Sequence, residues 1–229
     1  MLTIFKKNYY FFIFLVFYIF VGIYLSINNG ITSDEYHEQL NWKINLSAIL
    51  NYFKDGTYDE LLIYGDRYHG IAFHYISQPI QILTYKIISN YSNLSDIGGH
   101  LVSKHMVVFL TFSISGIFYY LLSLKITKNL YFALISSTLY LLYPYLFGHA
   151  QFNPKDIPFL SFWLVNTYIS LVIVEDLFYE KKIDLKSIFL FSFLTAFLIS
   201  IRVSGILIIF QYIISIFILL NFKKINFVN

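Results

Sequence analysis

The chain has 229 residues, of which 58% are hydrophobic, 21% aromatic and only 13% charged, about half the charged share of a typical soluble domain. That balance excludes intrinsic disorder, a coiled coil and almost any water-soluble globule of this size, and it points to an integral membrane protein. The net charge of +3 is too small to argue for nucleic acid, and without cysteine there is no disulfide, thiolate metal site or cysteine nucleophile.

A membrane-spanning helix needs about 20 largely apolar residues. The first such stretch, Tyr9–Ile27, follows Lys6-Lys7. It is too long for a signal-peptide core and lacks an A-x-A cleavage site, so residues 1–27 are expected to be an uncleaved signal anchor. Residues 28–104 form a long non-spanning region that is too apolar for a soluble domain. Within it, Tyr36, Leu40, Ile44, Ile49, Leu50 and Phe53 approximate helical spacing, which predicts an amphipathic helix on the membrane surface. Ile71–Ile88, broken by His74, Gln78-Pro79 and Lys86, predicts a second interfacial or re-entrant helix. Residues 105–222 hold further uncharged stretches at Met106–Leu124, Leu130–Phe147, Ile157–Val174, Ser187–Ile201 and Val203–Phe222. The last two are separated only by Arg202 and are either two short helices or one long one.

The lysines favour six spans with a cytoplasmic N-terminus. The inside then carries nine lysines against four acids, and the outside seven cations against nine acids, as the positive-inside rule asks. The expectation is an all-α, polytopic transmembrane domain of about six spans, with interfacial helices in one external loop. Heavy use of Phe, Tyr, Ile, Asn and Lys, whose codons are AT-rich, suggests a low-GC bacterial source.

Three polar clusters are candidates for chemistry. The first is Thr32-Ser33-Asp34-Glu35-Tyr36-His37-Glu38, just after the first span. Thr32-x-x-Glu35 reads equally well as a capping box; the alternative is a general base at the membrane–water boundary. Asp34 and Glu35 are roughly 100° apart on a helix, so one is expected to act as base and the other as cap or orienter. The second cluster is the turn Gly148-His149-Ala150-Gln151-Phe152-Asn153-Pro154-Lys155-Asp156, where Lys155 suits a phosphate and Lys155-Asp156 equally suits a helix-start ion pair. The third is Ile201-Arg202-Val203-Ser204-Gly205. An arginine between apolar helices is a functional candidate by default, able to pair bidentately with a phosphate, though it could instead snorkel to headgroups. Ser103-Lys104-His105 reads mainly as an interfacial anchor, and Tyr64–Gly70 as a turn shaping an acceptor cleft. His69 and His74 are too widely spaced for a metal site, and no metal is implied, although Asp34, Glu35 and His149 could converge on one.

The order of these clusters resembles the GT-C class of membrane glycosyltransferases, in particular bacterial relatives of the protein O-mannosyltransferases and the aminoarabinose transferases of lipid A. The matching features are Ser33-Asp34-Glu35 after the first span, Phe147-Gly148-His149 with Asn153-Pro154-Lys155-Asp156-Ile157-Pro158-Phe159, and the helix pair around Arg202. The resemblance implies inverting transfer of a sugar from a polyprenyl-phosphate donor to a glycan, lipid or protein acceptor on the external face of the bacterial inner membrane. No cofactor beyond that lipid co-substrate is implied. It makes Asp34 the catalytic base and Glu35 its acidic neighbour, and puts Arg202 near the lipid phosphate. Lys155, Asp156, His149 and His105 complete the candidate set for lipid phosphate and sugar. Members of the class run to about twice this length, so the chain is expected to be truncated, with a second chain as one way to complete the family fold. Competing classes are a transporter or channel subunit and an inactive remnant that docks a partner.

Overall fold

In the computed structural model the described residues are 9–88, 95–179 and 184–228, with side chains described through residue 221. They form ten α-helices and one 3-10 turn: α1 (Tyr9–Ile27), α2 (Ser33–Asp55), α3 (Asp59–Ile63), α4 (Ala72–Ile88), α5 (Asp96–Thr127), α6 (Leu130–Leu142), α7 (Pro144–Ala150), α8 (Asp156–Phe178), α9 (Leu185–Ile201), the 3-10 turn Val203–Ile206 and α10 (Leu207–Val228). The all-α, multi-pass reading holds.

The span count differs from the expected six. Among the described residues four helices, α1, α5, α8 and α10, are long and apolar enough to cross a membrane, and the bent pair α6–α7 makes a fifth span if counted as one. The expected span Leu130–Phe147 is instead a broken pair: α6 ends at Leu142, and α7 departs from it at 58°. The cause is Pro144. It has no N–H for the Tyr140 carbonyl, which takes the Tyr143 N–H instead, and its ring forbids a straight continuation. The Leu141 carbonyl loses its helical partner at the same bend and accepts the Tyr18 hydroxyl of α1 at 2.8 Å. The expected span Ser187–Ile201 is the 17-residue α9, shorter than the other four. At Arg202 the backbone is extended and leads into the 3-10 turn, so α9 and α10 are separate helices. Lys6, Lys7, Lys181 and Lys182, on which the inside–outside assignment leans, lie outside the described residues, as do the side chains of Lys223 and Lys224.

The core sits around α5, which packs against α1, α4, α6 and α8. Two glycines let the helices approach. A Cβ at Gly22 of α1 would fall 1.8 Å from the Phe109 ring of α5, and one at Gly116 of α5 would fall 2.6 Å from Leu141 of α6. Small residues at helix crossings serve this purpose in membrane bundles. Phe109, Phe112, Tyr18 and Phe11 fill the space between.

α8, α9 and α10 are tied by a polar band. Trp163 donates to Gln211, Gln211 donates to Thr167, and fully buried Asn166 donates to the Leu194 carbonyl at 3.1 Å. Outward faces of α1 and α10, such as Phe17, Phe20, Phe210 and Phe217, are exposed and apolar, which suits contact with lipid.

Candidate functional site

All three sequence clusters lie at one end of the bundle, where α1 ends and α5, α8 and α10 begin. The Lys125–Glu175 ion pair marks the opposite end. α2 carries the first cluster. Thr32 precedes it in extended conformation, and the Glu35 carboxylate accepts the Thr32 backbone N–H at 2.8 Å. Asp34 is three and four residues before His37 and Glu38, and Asn41 is four and three residues after them, so the four share a face. That face lines a cleft of about 370 Å³, closed across from it by Asp66, His69 and the Phe152–Asp156 turn. A second hollow of about 390 Å³ shares His69, Lys155 and Asp156 with it and adds Arg202, Ser204 and Tyr68.

The turn 64–70 forms the outer wall. The Tyr64 hydroxyl bonds Asn41 of α2. Gly70 presses against the end of α9, where a Cβ would sit 2.3 Å from the Ser200 carbonyl, so only glycine allows this approach.

Asp34 is exposed and makes no hydrogen bond or ion pair among the described residues, leaving its carboxylate free in the cleft. Glu35 behaves differently. It is 3% exposed, turned away from the cleft, and meets His105 Nε2 at 2.6 Å. His105 Nδ1 faces the Ser26 carbonyl at 2.9 Å. A carbonyl only accepts, so Nδ1 carries a proton, and the short contact to Glu35 needs another. His105 and Glu35 thus form a buried, proton-sharing pair that joins the end of α1, the start of α2 and α5. Neither lines the cleft.

The phosphate candidates each have an acidic neighbour. Lys155 Nζ donates to Glu38 Oε1 at 2.9 Å, and Arg202 Nη1 donates to Asp156 Oδ1. A guanidinium has five donors, so the rest of the Arg202 fork remains for a ligand in the second hollow. Its carbon also lies 5.8 Å from the centre of the Phe159 ring. Asn153 organises the turn by accepting the N–H groups of Lys155 and Asp156 and donating to His149 and Asp156. His149 lies against Tyr145 and Phe152 and lines neither hollow, so it braces the turn. Asp34, Glu35 and His149 therefore do not converge, and among the described residues no group of three His, Cys, Asp or Glu could hold a metal.

A chain of buried polar groups behind the cleft is absent from the sequence reading. Lys104 is 2% exposed rather than an interfacial anchor, and it donates to Gln39 at 2.8 Å and to His74 Nδ1 at 3.0 Å. His74, also 2% exposed, stacks on Trp42. Its Nε2 sits 3.9 Å from Glu38 Oε2, too far for a hydrogen bond, and has no other partner. An unsatisfied buried donor costs about 1–3 kcal/mol. Burial pushes the Glu38 carboxyl up, but His74 and Lys155 outweigh it and hold the group below its ordinary value. Burial brings the His74 imidazole down to about 4, with Glu38 opposing and Lys104 adding to the fall. Glu38 was legible as the residue one helical turn beyond Asp34. The burial of Lys104 and His74 had no local signal.

Comparison with known proteins finds no relative: no family model, curated protein or solved structure matches the chain.

Proposed function

We propose that the chain is a membrane glycosyltransferase that moves a sugar from a polyprenyl-phosphate donor to an acceptor hydroxyl at the external membrane surface. The observation that carries this reading is a pair of adjoining hollows that share His69, Lys155 and Asp156, with an unpaired carboxylate, Asp34, lining one and Arg202 lining the other. Carboxylate and cation are the two types of group that the reaction needs. The acceptor hydroxyl must lose a proton as its oxygen bonds to the anomeric carbon. The bond from that carbon to the phosphate oxygen breaks, and the departing phosphate keeps the electron pair, so cations beside it stabilise the charge.

Asp34 takes the proton, and Lys155 and the open part of the Arg202 fork hold the phosphate. Asp156 orients Arg202, while Glu35 and His105 secure the helix that presents Asp34. The apolar helices below let a polyprenyl chain stay in lipid while its phosphate enters the hollow.

The test is transfer from extracted polyprenyl-phosphate sugars to a range of acceptors by the full reading frame in lipid. Asp34→Asn should lower turnover by about 10²–10⁴-fold without loss of the folded state. Near-normal turnover in Asp34→Asn would remove Asp34 as the base.

A further inference from the structure

His74 holds a ring proton that has nowhere to go. As an ammonium, Lys104 can only donate to Nδ1, which leaves that nitrogen bare and puts the ring proton on Nε2. Nε2 is buried, unpartnered, and faces Glu38 Oε2 across 3.9 Å. The ring cannot turn to find another acceptor, because it lies flat on Trp42 and is fixed from behind by Lys104, itself held by Gln39. A buried donor facing a carboxylate at this range closes the gap unless the carboxylate is held elsewhere. Glu38 is held elsewhere: its other oxygen binds Lys155 at the cleft wall, 2.9 Å away.

Building on the reading of the adjoining hollows as a phosphate site, we propose that Glu38 is an exchangeable counter-ion: an entering phosphate takes the Lys155 ammonium, and Glu38 falls back onto the waiting His74 Nε2–H. The released carboxylate is never left unpaired, so the exchange substitutes one charge-assisted contact for another. Lys104 acts one layer further out, by fixing the His74 tautomer. Lys104 and His74 are positioning residues in this scheme, and Glu38 sets how tightly the site takes phosphate. The Glu38 pairing also keeps Lys155 from presenting a bare ammonium that would attract every anion.

The full chain in phosphatidylcholine nanodiscs, titrated with undecaprenyl phosphate and separately with inorganic phosphate, tests the exchange. Glu38→Gln frees Lys155 and should tighten phosphate binding about tenfold, the scale of one charge-assisted contact. Lys155→Gln should weaken it by a similar factor. His74→Gln should weaken binding several-fold in the native background and have no effect in Glu38→Gln. The same ranking with inorganic phosphate would mean that the phosphate alone is recognised; a ranking seen only with the lipid would mean that the polyprenyl chain is needed to bring it.

Unchanged or weaker binding in Glu38→Gln overturns the proposal. So does a His74→Gln defect that persists without Glu38, since that marks a structural role only, and so does failure of both wild type and Glu38→Gln to bind either ligand. Where His74→Gln does not fold, the ¹⁵N resonance of His74 Nε2 in the wild type decides: it should shift on adding undecaprenyl phosphate, and an unmoved signal refutes the exchange. Transfer that persists while Glu38→Gln leaves phosphate affinity unaltered would remove the counter-ion role and leave the transferase standing. The expected ranking without any sugar transfer would do the reverse.

Discussion

Acidification should unlock the buried ladder at His74 before it disturbs the rest of the bundle. The free imidazole value is 6.5 and burial brings His74 to about 4. Between those values the unfolded chain binds a proton that the folded chain refuses. The His74 contribution to stability therefore stands in full above about pH 6.5 and is lost as the pH falls towards 4. At 1.36 kcal/mol for each unit, the total is about 3 kcal/mol, most of it gone by about pH 4.5. Glu38 is depressed too and works in the same direction, but only below its own free value of 4.5, so the upper window belongs to His74.

Trp42 reports on this site directly, because its ring stacks on the His74 ring with centroids 5.6 Å apart. The only other tryptophan is Trp163, so Trp163→Phe leaves a single fluorophore at the ladder. Unfolding of that variant in lipid or detergent, followed by Trp42 fluorescence from about pH 7 to 4.5, should show a falling midpoint that His74→Gln lacks. Equal pH profiles with and without His74 would refute the reasoning, because the imidazole would then be solvated or already charged in the folded protein.

The adjacent acids Asp34 and Glu35 should separate cleanly in stability measurements. Asp34→Asn should leave the unfolding midpoint unchanged, whereas Glu35→Ala strands His105 and should cost about 3–5 kcal/mol, the scale of breaking one side of a buried pair. In the polar band, Asn166→Leu removes the bond to the Leu194 carbonyl and should weaken docking of α9 by about 0.6–2 kcal/mol. Thermal unfolding in detergent measures this loss, and an unchanged midpoint would show that the band contributes nothing.

The helical nature of the chain was legible because long uncharged runs leave the backbone few alternatives in lipid. Span boundaries were less legible. Leu130–Phe147 looks continuous by hydropathy, and the bend appears only once Pro144 is weighed as a missing donor rather than as one residue in an apolar average. At the site, Asp34 and Glu38 lay within the polar run read after the first span, whereas the face they share with Asn41 emerged with the helix itself. Glu35 and His105 could not be placed that way, since their contact joins residues 70 apart in sequence. The Lys155–Glu38 pair spans 117. Local patterns report which face of a helix is polar, but they do not report which distant helix will cover it, and for Lys104 that cover turns an apparent membrane anchor into a buried donor.

The length of α5 has a geometric consequence for the whole surface layer. Thirty-two residues at 1.5 Å each make a rod of about 48 Å, whereas the hydrocarbon slab is about 30 Å thick. With Met106–Leu124 in the slab, the stretch from Asp96 to His105 stands clear of the acyl chains as a rigid post. Gln81 and Tyr85 of α4 fasten to this post at His100 and Asp96, and Glu35 of α2 fastens to it at His105. The height of the cleft above the bilayer is thus set by a helix that is also anchored within it. A lipid-borne phosphate would therefore meet a floor at fixed elevation, and adding or deleting one turn of the post would raise or lower the cleft relative to the headgroups while leaving its walls intact.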